Sequence, residues 1–138
     1  MGKLRLTLLL FTLTVAAWFA LSCGASSFSG LIHPLQSITV SPATADAKDY
    51  PEGQVQFTAT GHYSIAPYSV TPQSATWGAC YQNEPTSEVS VTASGLARCA
   101  TGAEGTYTIF AFDITTCNAI TACGEGCTIF GSAQLTCP

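Results

Sequence analysis

From Ser37 onward the chain is built of short runs in which apolar residues alternate with Thr, Ser and other polar residues, with turn formers between them. Alternation with period two marks half-buried strands, because successive side chains point to opposite faces. Ile38 and Val40 alternate in a first strand that stops at Ser41-Pro42, and Val55, Phe57 and Ala59 in a second between Glu52-Gly53 and Gly61. Ala75 and Trp77 share one face of a third, Val89 and Val91 one face of a fourth, and Leu96 to Ala100 form a fifth behind the turn at Ser94-Gly95. The longest run, Gly105 to Thr116, leads through a loop from Asn118 to Gly126 into a last run from Cys127 to Cys137. No stripe of period 3.6 occurs after the N-terminal leader. The pattern predicts an all-β domain of about seven strands in two packed sheets, since one sheet of this size would leave an apolar face in water.

The runs follow an order that resembles the group 2 bacterial Ig-like domains. Ser37-Ile38-Thr39-Val40-Ser41-Pro42-Ala43 opens the domain, followed by Val55-Gln56-Phe57-Thr58-Ala59-Thr60-Gly61 and by Val70-Thr71-Pro72 leading to Ala75-Thr76-Trp77. Val89 to Ala97 and Ala103 to Ile109 continue the match, which covers about residues 37 to 112. The resemblance implies an Ig-like two-sheet β-sandwich over 37–138, with Trp77, Phe57, Val55 and Ile109 in its core and a non-catalytic adhesion or surface-interaction role. It also implies that Tyr107, Ile109 and Ala111 point inward, which by period two turns Phe110 and Phe112 outward. Phe130 on the last run is exposed by the same rule. These three Phe are a candidate interaction patch, to be docked by a partner or capped by the Cys-rich loop. Cys80, Cys99 and the long loop around Cys117, Cys123 and Cys127 are additions to the family pattern.

The segment before the domain is of another kind. It carries Lys3 and Arg5, runs uncharged for 16 residues from Leu6 to Leu21, and closes on Ala20-Leu21-Ser22-Cys23-Gly24. A basic start, an apolar middle and small residues at the end make a signal peptide. Its last four residues before Gly24 resemble a lipobox, with Ala20 where Leu is most common. That resemblance implies cleavage of residues 1–22, a lipid on Cys23 and a flexible tether over residues 23–36. Gly24, in place of Asp, implies the outer membrane where there is one. A plain secreted signal and an uncleaved anchor are the alternatives, although 16 apolar residues fall short of the ~20 a spanning helix needs.

Cysteine arithmetic bears on the same residue. Seven Cys leave one thiol over in an exported protein. With Cys23 lipidated, Cys80, Cys99, Cys117, Cys123, Cys127 and Cys137 can all pair, in any of fifteen connectivities. The Ig-like topology implies that Cys80, Cys99 and Cys137 gather at one end and the other three at the opposite end. The preferred pairs are Cys80 with Cys99 and Cys117 with Cys127.

Charge and composition narrow the function. The 116 residues from Cys23 onward make one domain. Removal of Lys3 and Arg5 takes the formal charge from −4 to −6, leaving Lys48 and Arg98 against eight acidic residues. Such a chain repels phosphate backbones and anionic headgroups, so nucleic acid is not expected and membrane attachment falls to the lipid on Cys23. No catalytic, cofactor or metal motif is expected to operate. His33 and His62 are isolated, the spacing of Cys117, Cys123 and Cys127 lacks a nearby His, and Asp46, Asp49 and Glu52 share their loop with Lys48. Two alternatives to adhesion stand: a structural envelope lipoprotein without a ligand, and a carbohydrate-binding accessory that uses Tyr63, Tyr68 and Tyr81.

Overall fold

The computed structural model describes residues 34–119 and 123–138. The leader 1–22, Cys23, His33 and the tether up to residue 33 lie outside the described residues. The strands are β1 (Leu35–Ser41), β2 (Thr44–Asp46), β3 (Gln54–Gln56), β4 (Thr58–Tyr63), β5 (Ser69–Val70), β6 (Thr76–Tyr81), β7 (Glu84–Pro85), β8 (Val89–Val91), β9 (Leu96–Cys99), β10 (Gly105–Phe112) and β11 (Phe130–Cys137). Among the described residues the helical pieces are 3₁₀ turns at Ala47–Asp49, Pro51–Gly53 and Ile114–Thr116. The fold is all-β.

The strands form a five-stranded sheet, ordered β2-β11-β10-β6-β7, and two three-stranded sheets, β1-β4-β5 and β3-β9-β8. Two local events distribute the chain among them. At Ser41-Pro42 the chain leaves its antiparallel pairing with β4 and continues as β2, which runs parallel to β11. Proline has no N–H to extend a ladder, so a strand that must change partners can do so here. At Phe57 the second predicted run breaks in two: Val55 pairs with Ala97, whereas Ala59 pairs with Val40. The Phe57 N–H donates to the Gly95 carbonyl at 2.9 Å, between the two ladders.

Side chains from all three sheets bury into one cluster, an arrangement consistent with a β-sandwich. Ile38, Val40, Val55, Phe57 and Ala59 enter it from the smaller sheets, and Tyr107, Ile109, Ala111, Ala133 and Leu135 from the larger. The layers touch closely where β1 passes β11, because a Cβ at Gly131 would run into the Ile38 carbonyl. Truncating a side chain as deep as Phe57 costs about 3–5 kcal/mol.

Several expectations need correction. Trp77 is only partly buried and packs against the core from its margin. Strand β1 begins at Leu35, two residues inside the expected tether. Phe112 is buried although it faces away from Ile109 and Ala111, being 1% exposed and outside the main cluster. The extra strands β2, β5 and β7 are two or three residues long and too short to leave a period in the sequence.

Candidate interaction surfaces

On the outer face of the five-stranded sheet, Thr108, Phe110 and Phe112 of β10 stand beside Cys80, Gly78 and Thr76 of β6. The Cys-rich segment after β10 folds back over this face and is fixed there by disulfides. Cys80 bonds Cys123, Cys117 bonds Cys127, and Cys99 bonds Cys137. The preferred Cys80–Cys99 pair is therefore replaced. Cys80 and Cys99 do not meet because Cys80 points to the outer face, toward the incoming loop, while Cys99 of β9 reaches across to the end of β11. The loop thus folds back along the sheet instead of remaining at the hairpin end.

This cap divides the three-Phe patch. Phe112 is buried, and Phe110 is half-buried with its Cδ1 3.4 Å from where a Cβ at Gly124 would stand. Phe130 stays 47% exposed, with its ring centroid 6.0 Å from that of Phe110. The hairpin therefore presents one open aromatic instead of three.

A second surface opens where β4 and β9 part at Phe57. Trp77 lines a groove of about 540 Å³ together with Phe57, Ala59, Pro72, Gln73 and Ser94. Its rim is polar and internally tied. The Gln56 side-chain amide donates to the carbonyls of Phe57 and Ser94, each at 2.7 Å, and the Gln73 N–H donates to Ala59 O at 2.8 Å. These bonds serve backbone groups that the gap leaves without a strand partner.

The two ends of the domain differ in chemistry. Leu35 pairs with Tyr63, so the chain enters the domain beside the β4–β5 loop. The Tyr63 N–H donates to Tyr68 O at 2.9 Å and closes that loop, leaving Ile65 at 42%, Tyr68 at 69% and Val70 at 37% exposed. Strand β11 runs beside β1 in the same direction, with Gly131 at Ile38 and the Gln134 N–H bonded to Ala43 O. Exposed Phe130 consequently lies at the entry end too. No Asp, Glu, Lys or Arg occurs from Gly53 to Asn83.

The opposite end is charged. The Lys48 ammonium lies 2.6 Å from the Asp46 carboxylate, an ion pair in a loop that includes Asp49 and Glu52. Hydrogen bonding to Lys48 holds the Asp46 pKa below its ordinary value, and Asp46 holds that of Lys48 above. Arg98 pairs with Gln54 next to this loop, and Glu104 precedes Gly105, which pairs with Cys137. The buried Tyr107 hydroxyl donates to Glu88 at 2.7 Å. The Glu88 hydrogen bond, helped by burial, pushes the Tyr107 pKa up to about 12.

The other sequence candidates are dispersed. Tyr63 and Tyr68 lie at the entry end, whereas Tyr81 stacks on Tyr107 with centroids 5.2 Å apart at the charged end, so the three Tyr form no common platform. The Tyr63 hydroxyl donates to Gln73 at 2.6 Å, and His62 Nε2 lies 3.0 Å from Thr39 Oγ1. Among the described residues, no three His, Cys, Asp or Glu side chains are grouped to hold a metal ion. Sequence reasoning missed the β4–β5 loop and the Trp77 groove. The composition Ile65-Ala66-Pro67-Tyr68, apolar where a loop is normally polar, was the available signal for the loop. The groove left none. No protein-family model matches the chain, and no curated protein matches it.

Proposed function

We propose that the protein is an exported, lipid-anchored cell-envelope protein displaying one Ig-like β-sandwich for non-catalytic interaction with a protein partner. The observation that carries this reading is the complete pairing of the domain's six cysteines. Three disulfides suit an oxidising, exported compartment. They also leave no domain thiol for Cys23, which the leader already marks as the lipidated residue. The exchange of β1–β2 between sheets and the long β10–β11 hairpin are compatible with an Ig-like domain. Display is then the mechanism, with the lipid fixing location and the sandwich presenting a surface.

The test is acyl-chain labelling in the native host. Wild-type protein should take up labelled palmitate and fractionate with membranes, and Cys23→Ser should lose both properties. Equal membrane recovery without label would overturn the lipid anchor.

The Trp77 groove favours a second reading, carbohydrate binding. It brings an aromatic side chain together with Gln73 and Ser94, the mixture of stacking surface and hydrogen-bonding groups that sugars use. Glycan-array binding abolished by Trp77→Ala would support it. An array without binding by the wild-type protein would end it.

A further inference from the structure

The chain enters the domain at Leu35, against Tyr63, and the loop that follows Tyr63 is closed by the Tyr63 N–H to Tyr68 O bond. This loop presents Ile65, Pro67 and Tyr68 to solvent, and Val70 of β5 is exposed next to it. Three apolar or aromatic side chains in one uncharged loop, with Val70 beside them, make the densest such group among the exposed large apolar residues, of which Tyr50, Tyr81, Ile114 and Phe130 stand elsewhere. Phe130 is exposed at the same end, on the five-stranded sheet.

Charge is segregated in the opposite sense. Ten charged side chains lie after Cys23. Asp46, Lys48, Asp49 and Glu52 follow β1 away from the entry end, and Arg98 and Glu104 adjoin them. Glu84 pairs with Tyr81, and Glu88 with the Tyr107 hydroxyl, at that same far end. The exceptions, Asp113 and Glu125, belong to the Cys-rich segment, and Asp113 is occupied in capping the 3₁₀ turn through the Thr115 N–H at 2.9 Å.

The length of chain ahead of Leu35 restricts what the entry end can face. The residues between Cys23 and Leu35 span at most about 40 Å even when fully extended. A lipid on Cys23 is therefore nearer along the chain to this end than to the acidic one, which lies a further strand length away. Tyr is favoured at the boundary of headgroups and acyl chains, where its ring is apolar and its hydroxyl wet. The acidic end is repelled by anionic headgroups.

We propose that the β4–β5 loop, through Ile65, Pro67 and Tyr68, is a membrane-contact tip that seats the domain on the lipid surface with its acidic end outward. This orientation deepens the lipid-anchor reading and rests on it. It makes the tether a positioning element and directs the acidic end toward partners in solution.

The test uses the full chain, expressed with its leader, extracted from membranes and reconstituted in phosphatidylcholine vesicles with brominated acyl chains. The variants are Tyr68→Trp and Ile65→Trp at the tip and Tyr81→Trp at the acidic end, each compared with wild type, whose Trp77 supplies the background. Intact mass on each sample reports acylation. The expected result is acylated protein in which brominated lipid removes at least about half of the emission added by either tip variant and little of that added by Tyr81→Trp. Acylated protein with unquenched tip indoles overturns the tip while leaving the anchor standing. Equal quenching at both ends overturns the orientation. Tip emission that shifts only when envelope proteins are added assigns the loop to a protein partner and likewise overturns the proposal. A mass without acyl chains removes the anchor and the tip together.

Discussion

Breaking the Cys80–Cys123 bond by Cys80→Ala with Cys123→Ala should destabilise the domain more than breaking Cys117–Cys127 by the corresponding pair of substitutions. The sequence separations are 43 and 10 residues. In the chain-entropy account, a bridge stabilises by removing loop freedom from the unfolded chain, which gives about 4 kcal/mol for the longer loop and about 2.7 kcal/mol for the shorter. The difference of about 1.3 kcal/mol is enlarged by a native-state effect. The longer bridge holds the Cys-rich segment against Phe110, whose Cδ1 lies 3.4 Å from where a Cβ at Gly124 would stand, and freeing the segment lets water reach that ring. Each pair should be measured in a Cys23→Ser background by equilibrium urea unfolding, with the remaining disulfides oxidised and the slope checked for two-state behaviour. The long-bridge variant should also bind an apolar dye more strongly. The reasoning is refuted if loss of Cys117–Cys127 proves the more costly change, or if the long-bridge variant unfolds at the wild-type midpoint.

Further expectations follow from particular residues. Gly95 has φ +84°, and a Cβ there would strike the Phe57 carbonyl and stand 2.8 Å from the Trp77 ring. Gly95→Ala should therefore cost at least about 2 kcal/mol in thermal or urea unfolding, and an unchanged midpoint would contradict the close approach. Phe57→Ala should cost about 3–5 kcal/mol and exceed Trp77→Ala, because Phe57 is fully enclosed whereas Trp77 keeps one side open to the groove. The Tyr107 pKa is raised from 10.0 to about 12, so its neutral form is the one the fold favours. That contribution is complete below pH 10.0 and is lost as pH rises toward about 12. Phenolate absorbance should show a late-titrating tyrosine that Glu88→Gln shifts to lower pH, and a titration unaffected by the substitution would contradict the assigned cause.

The alternation of Ile38 with Val40 and of Val55 with Ala59 made those strands and their buried faces legible, whereas for the long run the inward face of Tyr107, Ile109 and Ala111 is what the Ig-like resemblance implies, since Phe110 and Phe112 make its other face apolar too. The break at Phe57 was not legible. A strand that changes partners without changing its own alternation looks continuous, and the interrupting bond comes from Gly95, far along the chain. The Ig-like resemblance implies a core Trp77 and its alternation with Ala75 gives the facing direction, but neither gives the distance from the edge of the core, where Trp77 stands partly buried. Phe112 shows the converse: period two turns it away from the core face, yet it is 1% exposed, because facing outward from one sheet does not mean facing water. The disulfide partners depended on where the Cys-rich loop lies, which no local pattern encodes.

The central claim is a disulfide-closed domain tethered by a lipid on Cys23. It is tested most directly by the intact mass of membrane-extracted protein under non-reducing conditions, before and after thiol alkylation. The predicted result is a chain beginning at Cys23, carrying acyl mass and taking up no alkylating reagent, since the six domain cysteines are paired. A mass that retains Met1, or a chain beginning at Cys23 that takes up one alkyl group and carries no lipid, would contradict it.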